Sequence, residues 1–594
     1  MDLRMRSLAA ALVVTLLAGI FPGTPAAGAG GAAQPPAALL ADVVYDPFVE
    51  AEKAETGGTL LVHYAMPLVD DSGVYMEFKS GSFIACQPPG SGLPAPCGPD
   101  ARSLQTWSVK KLVWRGTALA EAWTFASDWK PEPAGGAIGD WEPVFHPAIA
   151  GDYVYVPGAG GTVFKVARSD GRLAARINPF GTSVDSATFV AGGLAADAAG
   201  SVYYSALRLD LSSPWTSNAL GAWLVRIAPD GSSAHAPFSA LVAGAPAASA
   251  PCQLSFTNNL PWPPSTTAAP PNGSCGSQRP GINVIPAIGP DGTVYTVSRA
   301  HFNGRFGYLV AVHPDLTPSW SASLRGFLDD GCGVLLPPDG APGGCRIGSK
   351  HGVDPATNDV PAGRVSDLAS SSPVVLPDGS ILYGAFTGYN YSRGHLFKFS
   401  SDGRILAAYE FGWDITPAVY AHDGTYSILV KDNHYELGSY CTDPQFCPPE
   451  TGRYDVTSLD PNLSVEWKFT GTNTLSCRRN PDGTLACVSD HPDGFEWCVN
   501  QPAVDSQGVT YATSEDGYLY AIGKGGVLAG KIFLDVALGA AYTPLTISPD
   551  GLVYAQNNGH LFVAGTPFRA RPAPPGNEGN PRIVAPRGRV AGER

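Results

Sequence analysis

Hydrophobic and polar residues follow one another along this 594-residue chain in a pattern that returns many times. A short apolar run, often opened by proline, passes through an Asp-Gly turn into a second apolar run that ends near a tyrosine. The pattern is clearest at Ile285–Tyr295, Ser372–Tyr383 and Thr543–Tyr554. Asp-Gly between alternating hydrophobic residues predicts a β-hairpin, and two further strands follow each hairpin. The repeating unit is therefore predicted to be four antiparallel strands.

Four-stranded units in series are typical of a β-propeller, which closes into a ring and so protects its strand edges. We predict an all-β fold, a single propeller of eight four-stranded blades; one miscounted unit would make it seven. The last unit stops after three strands, at Phe562–Ala564, so we expect the N-terminal strand Thr59–Tyr64 to close the ring. The first strands of the units are expected to begin near Leu68, Pro147, Gly193, Pro286, Pro373, Pro417, Pro502 and Pro544.

Composition supports the all-β class and narrows the partners. Hydrophobic residues make up 44% of the chain and charged residues 15%, with 70 glycines and 55 prolines, as in a turn-rich globular protein. A net charge of −14 without a basic stripe argues against nucleic acid. We expect a monomer whose partner is a protein, a glycan or a small molecule.

The composition of the N-terminal and C-terminal segments predicts the domain organisation. Arg4 and Arg6 precede the apolar run Leu8–Phe21, and Ala27-Gly28-Ala29 resembles a cleavage site, so residues 1–29 are predicted to be a signal peptide. Residues 30–58 are expected to be flexible, 59–568 to form the propeller, and 569–594 to be a disordered Pro/Gly/Arg tail. No apolar stretch is long enough to span a membrane. These features predict a secreted or periplasmic protein.

The cysteines agree with export, because close pairs within insertions are typical of disulfides in an oxidising compartment. Cys498 is left over if Cys477 and Cys487 pair across their turn, although pairing of Cys487 with Cys498 would instead leave Cys477 free. No zinc-binding spacing is present. The expected pairs are Cys86 with Cys97, Cys252 with Cys275, Cys332 with Cys345, Cys441 with Cys447, and Cys477 with Cys487.

Two groups of residues, one of tryptophans and one of mixed aromatic and polar residues, have different positions in the repeat. Trp123, Trp320 and Trp467 recur in register on fourth strands, which predicts a packing role. A second group precedes the innermost strands, where a propeller opens its central channel, and could stack and hydrogen-bond a ligand. The alternative is that these residues only pack between blades or bind channel water. The candidates are Trp141, Glu142, His146, Asp367, Trp413, Asp414, Trp497, Asn500, Gln501 and Tyr542.

The units resemble the pyrroloquinoline-quinone (PQQ)-type repeat, most clearly over Asp505–Ile522 with its Gly-Val-Thr-Tyr and Asp-Gly-Tyr-Leu-Tyr-Ala-Ile runs. That repeat occurs in quinoprotein dehydrogenases and in the propeller lipoprotein of the outer-membrane assembly machine. The dehydrogenase branch implies PQQ and calcium near adjacent cysteines, and this chain has no adjacent cysteines. The assembly branch implies a cysteine just after the signal, which is also missing.

Three functions fit these observations. The first is an exported, non-catalytic propeller that binds or scaffolds an envelope or extracellular ligand through its loops and channel mouth. The second is a diverged oxidoreductase that binds PQQ and calcium at the channel mouth. The third is a carbohydrate-active propeller that uses channel carboxylates such as Glu142, Asp367 and Asp414. No nucleophile elbow or zinc-protease motif is found in the sequence.

Overall fold

The computed structural model describes residues 36–55, 65–82, 104–133, 144–252, 273–325, 363–367, 371–387, 393–412, 415–434, 452–539 and 542–566. Their strands form eight four-stranded blades, as the repeat predicted, and two further two-stranded sheets. In every blade the strands are antiparallel and pair in chain order, except that the last blade takes its fourth strand from the N-terminus. The predicted starts of the eight units fall at the innermost strands.

Blades 1 to 4 lie in the first half of the chain, and the innermost strand of blades 3 and 4 is split into two pieces. Blade 1 comprises Leu68–Asp70, Gly73–Gly81, Gln105–Arg115 and Ala118–Ala126. Blade 2 comprises Ala148–Ala150, Tyr153–Pro157, Val163–Ala167 and Leu173–Ile177. Blade 3 comprises Thr188–Val190 with Ala195–Ala196, then Val202–Arg208, Gly221–Ile227 and Ser233–Pro237. Blade 4 comprises Gln278–Pro280 with Ala287–Ile288, then Val294–Ala300, Gly307–Val312 and Pro318–Ser323.

Blades 5 to 8 follow the same plan with uninterrupted innermost strands. Blade 5 comprises Val374–Val375, Ile381–Phe386, Arg393–Phe399 and Ile405–Gly412. Blade 6 comprises Ala418–His422, Thr425–His434, Arg453–Leu459 and Val465–Thr470. Blade 7 comprises Ala503–Val504, Thr510–Thr513, Tyr518–Gly523 and Val527–Phe533. Blade 8 comprises Thr546–Ile547, Val553–Asn557, His560–Gly565 and the closing strand Ala38–Val44.

Elements outside the blades are short. One two-stranded sheet pairs Pro251–Cys252 with Gly273–Ser274, and the other is the hairpin of Leu475–Arg479 and Leu485–Ser489. The α-helices are Val49–Glu55 and Phe238–Leu241, and Ala159–Gly161 forms a 3-10 turn. No helix of the described ranges is long and apolar enough to cross a membrane.

Closure by an N-terminal strand is confirmed, but the strand is not the one expected. Ala38–Val44 pairs antiparallel with His560–Gly565, and the expected strand Thr59–Tyr64 lies outside the described residues. The segment 30–58, expected to be flexible, therefore contains a strand, and the helix Val49–Glu55 follows it. Its apolar side chains join a core shared by blades 8 and 1. The Ala- and Gly-rich composition of the segment did not indicate this burial.

A buried lysine ties this N-terminal segment to blade 1. The ammonium of Lys79 lies 3.2 Å from Asp46 Oδ2 and 2.8 Å from Glu52 Oε1, and all three residues are buried. A buried cation requires such partners, because it has lost its hydration. The helix is thus held by a charge that blade 1 supplies.

Neighbouring blades pack face to face, and each apolar cluster spans an interface between blades. In six of the eight pairs of neighbouring blades the innermost strands lie against one another, so they surround the axis of the ring. Because strands alternate in direction, the first-to-second and third-to-fourth connections lie on one face, which we call the turn face. The second-to-third and blade-to-blade connections lie on the other, which we call the loop face.

Tryptophans on fourth strands connect consecutive blades on the turn face. The indole Nε1 of Trp123 donates to the carbonyl of Arg168 at 3.0 Å, and that of Trp320 donates to Ser401 at 2.8 Å. Each ring lies against a glycine of the next blade's turn, where a Cβ atom would come within 2.8 Å of Trp123 or 2.6 Å of Trp320. These glycines, Gly171 and Gly403, are therefore needed for the close approach. The in-register tryptophans do pack between blades, as predicted.

Candidate functional site at the loop-face rim

Two clusters of buried and half-buried side chains, most of them polar, lie near the loop-face ends of the innermost strands. The first, which we call the arginine–aspartate cluster, consists of Arg279, Arg299, Asp367, His301, Trp215 and Glu132. The second, which we call the thiol–carboxyl cluster, consists of Cys498, Glu515, Glu496, Lys431 and Tyr542. Their residues come from connections between blades, from second-to-third connections and from the loop-face ends of innermost and second strands.

Asp367 is the centre of the arginine–aspartate cluster. Its carboxylate accepts two hydrogen bonds from the Arg279 guanidinium, at 2.8 and 2.6 Å, and one from Arg299 Nη1 at 2.7 Å. Burial alone would raise the pKa of Asp367, but the two arginines hold it well below its usual range. Asp367 is thus a permanently charged anchor for two cations, which does not suit a catalytic acid or base.

Arg279 also fixes the state of His301. Its Nε donates to His301 Nδ1 at 3.0 Å, so that ring nitrogen must be unprotonated. Burial and the nearby arginine charges lower the pKa of His301 to about 3. The Trp215 indole stacks on the imidazole with ring centres 6.2 Å apart, and the Arg279 guanidinium lies 5.8 Å from the Trp215 ring. The side chains on this rim therefore hold one another in a single arrangement.

Glu132 reaches this cluster from blade 1. Pro133, the residue after Glu132, accepts a hydrogen bond from the Trp215 indole at 2.9 Å, so the connection from blade 1 to blade 2 contacts blade 3 here. Glu132 is 8% exposed, and its Oε1 has no hydrogen-bond partner in the part of the chain that the structure describes. Burial raises the pKa of Glu132 to about 7, with the Asp367 charge acting in the same direction and Arg279 opposing it. With Glu132 protonated, two guanidinium groups face one carboxylate, which favours an anionic ligand group at this rim.

The thiol–carboxyl cluster joins blades 6, 7 and 8. Cys498 is buried and unpaired, and its thiol donates to Glu515 Oε1 at 2.8 Å. Burial raises the pKa of the Cys498 thiol well above its usual value, and burial together with the charge of Glu496 raises that of Glu515. The thiol is thus neutral, which is the opposite of the state that a nucleophilic cysteine needs.

Lys431 and Tyr542 complete this second cluster. The Lys431 ammonium lies 4.0 Å from the centre of the Tyr542 ring, as in a cation–π contact. Tyr542 has a φ of +51°, a backbone conformation that non-glycine residues rarely adopt. Such strain persists only where the surroundings enforce it. The Tyr542 side chain is half-buried, so this part of the rim remains in reach of solvent.

The other candidate residues are more deeply buried. Trp497 is 1% exposed, packs against Phe469 and Tyr520, and donates its indole N–H to the carbonyl of Tyr454 at 3.1 Å. Asn500 and Gln501 are buried beside it, with their main chains bonded to neighbouring connections. These three residues support the rim from beneath rather than lining it.

His146 stands apart from both clusters. It is 1% exposed, burial lowers its pKa to about 4, and in the described ranges neither ring nitrogen has a hydrogen-bond partner. Trp141, Glu142, Trp413 and Asp414 lie outside the described residues. The structure thus brings Asp367 into one cluster and Tyr542 into another, with Trp497, Asn500 and Gln501 beneath the second.

Sequence reasoning missed Glu132, Arg279, Arg299, Lys431 and Glu515. One signal was available, because in a chain with 15% charged residues an arginine or lysine within an otherwise apolar strand is conspicuous. Arg299 in Val294–Ala300 and Lys431 in Thr425–His434 are such residues. Their partners come from distant connections, which no local pattern reveals.

The disulfides agree in part with expectation. Cys252–Cys275 and Cys477–Cys487 are bonded and Cys498 is free, which settles the alternative left open for Cys487. The two disulfides fit an oxidising compartment. The expected pairs Cys86–Cys97, Cys332–Cys345 and Cys441–Cys447 lie outside the described residues.

A calcium site for PQQ does not fit the rim residues that the structure describes. Asp367 is saturated by two arginines, and within the described ranges no three His, Cys, Asp or Glu side chains stand close enough to hold a metal ion. The carboxylates Glu142 and Asp414 are not among those ranges. We therefore derive no chemistry through calcium or PQQ.

Comparisons with known proteins find similar solved structures at low sequence identity. No family model and no curated protein matches the chain. Similar solved structures include BamB from Moraxella catarrhalis, at 12% identity and a TM-score of 0.35, covering 86% of this chain and 95% of that one. A europium-containing methanol dehydrogenase has 11% identity and a TM-score of 0.45, with coverages of 87% and 84%. The quinohemoprotein alcohol dehydrogenase of Comamonas testosteroni has 10% identity and a TM-score of 0.44, with coverages of 90% and 77%. At these values the likeness concerns the fold, and it carries no argument about activity, ligand or partner.

Proposed function

We propose that this protein is an exported, non-catalytic propeller that binds an envelope or extracellular ligand or partner with its loop face. The observation that carries the proposal is the asymmetry of the ring. The described connections of the turn face are short turns, whereas both described disulfides and both polar clusters belong to the loop face. Function in a repeat scaffold is concentrated where loops vary on a rigid support.

Exposed apolar side chains on the loop face supply a contact surface. Leu220 is 60% exposed on the second-to-third connection of blade 3, and Val488 is 64% exposed on the hairpin that the Cys477–Cys487 disulfide closes. A disulfide in a projecting hairpin lowers the entropy that binding would cost, because the hairpin is already ordered. The state of the rim residues supports binding rather than catalysis, since Asp367 is held charged and Cys498 is held neutral.

Site-specific photo-crosslinking in the native cell tests the proposal with a matched pair of positions. Val488 lies on the loop face and Val527 at the turn-face end of blade 7, and they are 64% and 65% exposed. A photoreactive amino acid replaces one or the other. We expect discrete adducts from position 488 and none from position 527. Equal adducts from both positions, or none from either, would contradict the proposal.

A thermal-shift titration with calcium and PQQ provides an independent check. A ligand that binds the folded state must raise the apparent melting temperature. We expect no saturable shift. A shift that requires both calcium and the quinone would replace the binding proposal with an oxidoreductase.

A further inference from the structure

A cleft opens on the turn face between blades 6 and 7, far along the strands from the loop-face rim. Its volume is about 240 Å³. All four strands of blade 6 contribute to its wall, and blade 7 supplies its innermost strand and both of its turns. The cleft is smaller than the roughly 300–1,000 Å³ of sites that hold drug-sized molecules, so it suits a ligand of a single ring.

The cleft lies where a recurring contact between blades is incomplete. Trp467 occupies the same position in blade 6 as Trp123 in blade 1 and Trp320 in blade 4. Its ring lies against Gly526 of the next blade, where a Cβ atom would stand 3.2 Å away, so the packing is retained. In the described part of the chain, however, its indole N–H has no acceptor, whereas the other two donate to a carbonyl of the next blade.

The missing acceptor has a local cause. The third-to-fourth connection has five residues in blade 2, from Arg168 to Arg172, and five in blade 5, from Ser400 to Arg404. In blade 7 it has three, Lys524, Gly525 and Gly526. The turn that faces Trp467 is thus two residues shorter than the turns whose carbonyls accept from Trp123 and Trp320. The indole N–H is consequently available to a ligand.

The cleft offers hydrogen-bonding groups of both kinds. Glu466 Oε2 accepts from the Ser458 hydroxyl at 2.7 Å, while its Oε1 has no hydrogen-bond partner within the described ranges. The Lys524 ammonium lies 4.9 Å from the centre of the Tyr420 ring on the opposite wall. The lining also includes a second carboxylate, Asp423, which is 89% exposed to solvent and lies 3.3 Å from His422 Nδ1. Within the cleft, Glu466 and Lys524 thus supply opposite charges, which favour a ligand without net charge that both donates and accepts.

The floor of the cleft is apolar. Leu429 and Val504 are 2% exposed, and the Tyr420 and Trp467 rings pack against the same small cluster. Apolar surface beneath and hydrogen-bonding groups around the rim match a molecule that has carbon-bound hydrogens on its faces and hydroxyls on its edge.

We propose that the cleft between blades 6 and 7 binds a single pyranose ring of a neutral sugar. Trp467 donates to a ring hydroxyl, Glu466 accepts from another, and Lys524 donates to a third. Leu429 and Val504 lie against the C–H face. This site is on the opposite face from the proposed loop-face contact, so either can fail without the other.

Saturation-transfer NMR on the full-length protein tests this site with methyl glucoside, methyl galactoside and N-acetylglucosamine as probes at millimolar concentration. We expect one of the three to give a saturable signal. Trp467→Phe keeps the ring but removes the N–H, and Glu466→Gln keeps the shape but removes the charge. Each should weaken binding about tenfold, the usual effect of losing one hydrogen bond of this kind.

Trp320→Phe is the matched control, because it makes the same change where the N–H is already bonded to Ser401. It should leave the affinity for the sugar unchanged, and melting temperatures show that each variant is folded. The proposal is wrong if none of the three probes binds, or if Trp467→Phe and Trp320→Phe weaken binding equally. It is also wrong if free lysine, a charged molecule, competes for the cleft as strongly as the sugar does.

Discussion

The two faces of the ring are built from the same repeat, but they use polar residues in different ways. On the turn face, several aspartates are exposed and bond to their own turns: Asp230 accepts from the amide of Ser232 at 2.9 Å, and Asp315 accepts from that of Thr317 at 3.0 Å. In the arginine–aspartate cluster of the loop face, the charges are buried and come from different strands and connections, and Asp367 accepts from Arg279 and Arg299. Local sequence therefore determines these turns, whereas the assembled ring determines the arginine–aspartate cluster.

Removing the buried carboxylate should have the largest effect on stability. Asp367→Asn leaves Arg279 and Arg299 without their shared counter-ion, which costs about 3–5 kcal/mol of the free energy of unfolding when a buried pair loses one member. Asp402→Asn on the turn face removes an exposed carboxylate bonded to Ser400 and Arg404 and should not change stability measurably. Guanidinium unfolding with disulfides intact measures both. Similar losses in the two variants would remove the contrast between the faces.

Glu132 should give the loop face a pH dependence that the turn face lacks. Its pKa is about 7 in the fold and about 4.5 in the unfolded chain, so its contribution to stability is present below pH 4.5 and is lost as the pH rises through 7. Glu132→Gln cannot ionise and should gain about 3 kcal/mol over the natural protein between pH 5 and pH 9.

Other titrating groups also change the stability with pH, but their contributions cancel when Glu132→Gln is compared with the natural protein. His146 and His301 have lowered pKa values, so their contribution is lost as the pH falls below 6.5 and is the same in both proteins. Unfolding titrations at several pH values give the difference directly. A difference that stays constant from pH 5 to pH 9 would show that Glu132 keeps an ordinary pKa.

On the turn face, Trp320 and Trp467 should differ by the energy of one hydrogen bond. Trp320→Phe loses the bond to Ser401 and should lower the free energy of unfolding by about 1 kcal/mol more than Trp467→Phe, whose indole N–H has no acceptor in the described residues. Both variants keep an aromatic ring against the glycine of the next blade. Equal destabilisation would mean that packing alone connects the blades.

The smallest effect should be seen at Cys498, in reactivity rather than stability. Because burial holds the thiol neutral, alkylation by iodoacetamide should be far slower in the folded protein than in denaturant. Mass spectrometry of the peptide containing Cys498 follows the reaction. Rapid labelling of the folded protein would show that this rim opens readily.

Features of the fold that depend on local sequence could be predicted, whereas those that depend on distant partners could not. Asp-Gly turns and the alternation around them are local, so the eight units, their innermost strands and the packing role of Trp123 and Trp320 could be predicted. The closing strand could not, because Ala38–Val44 has a composition that reads as flexible and gains order only from a partner at the other end of the chain. Glu132 and Arg279 meet through residues from blades 1, 3, 4 and 5, and no spacing in the sequence encodes that encounter.

The shared blade also constrains the order in which the molecule can be made. Its first-synthesised strand, Ala38–Val44, must wait for His560–Gly565, so more than five hundred residues have to emerge before the two can pair. Seven blades can assemble one after another as the chain appears, but the ring stays open until the end. During that interval the strand Ala38–Val44 has no partner, and the apolar side chains of blade 1 that will pack against blade 8 are uncovered, which is a hazard for aggregation. The time to closure, rather than the stability of any blade, would then decide how much of the newly made protein survives.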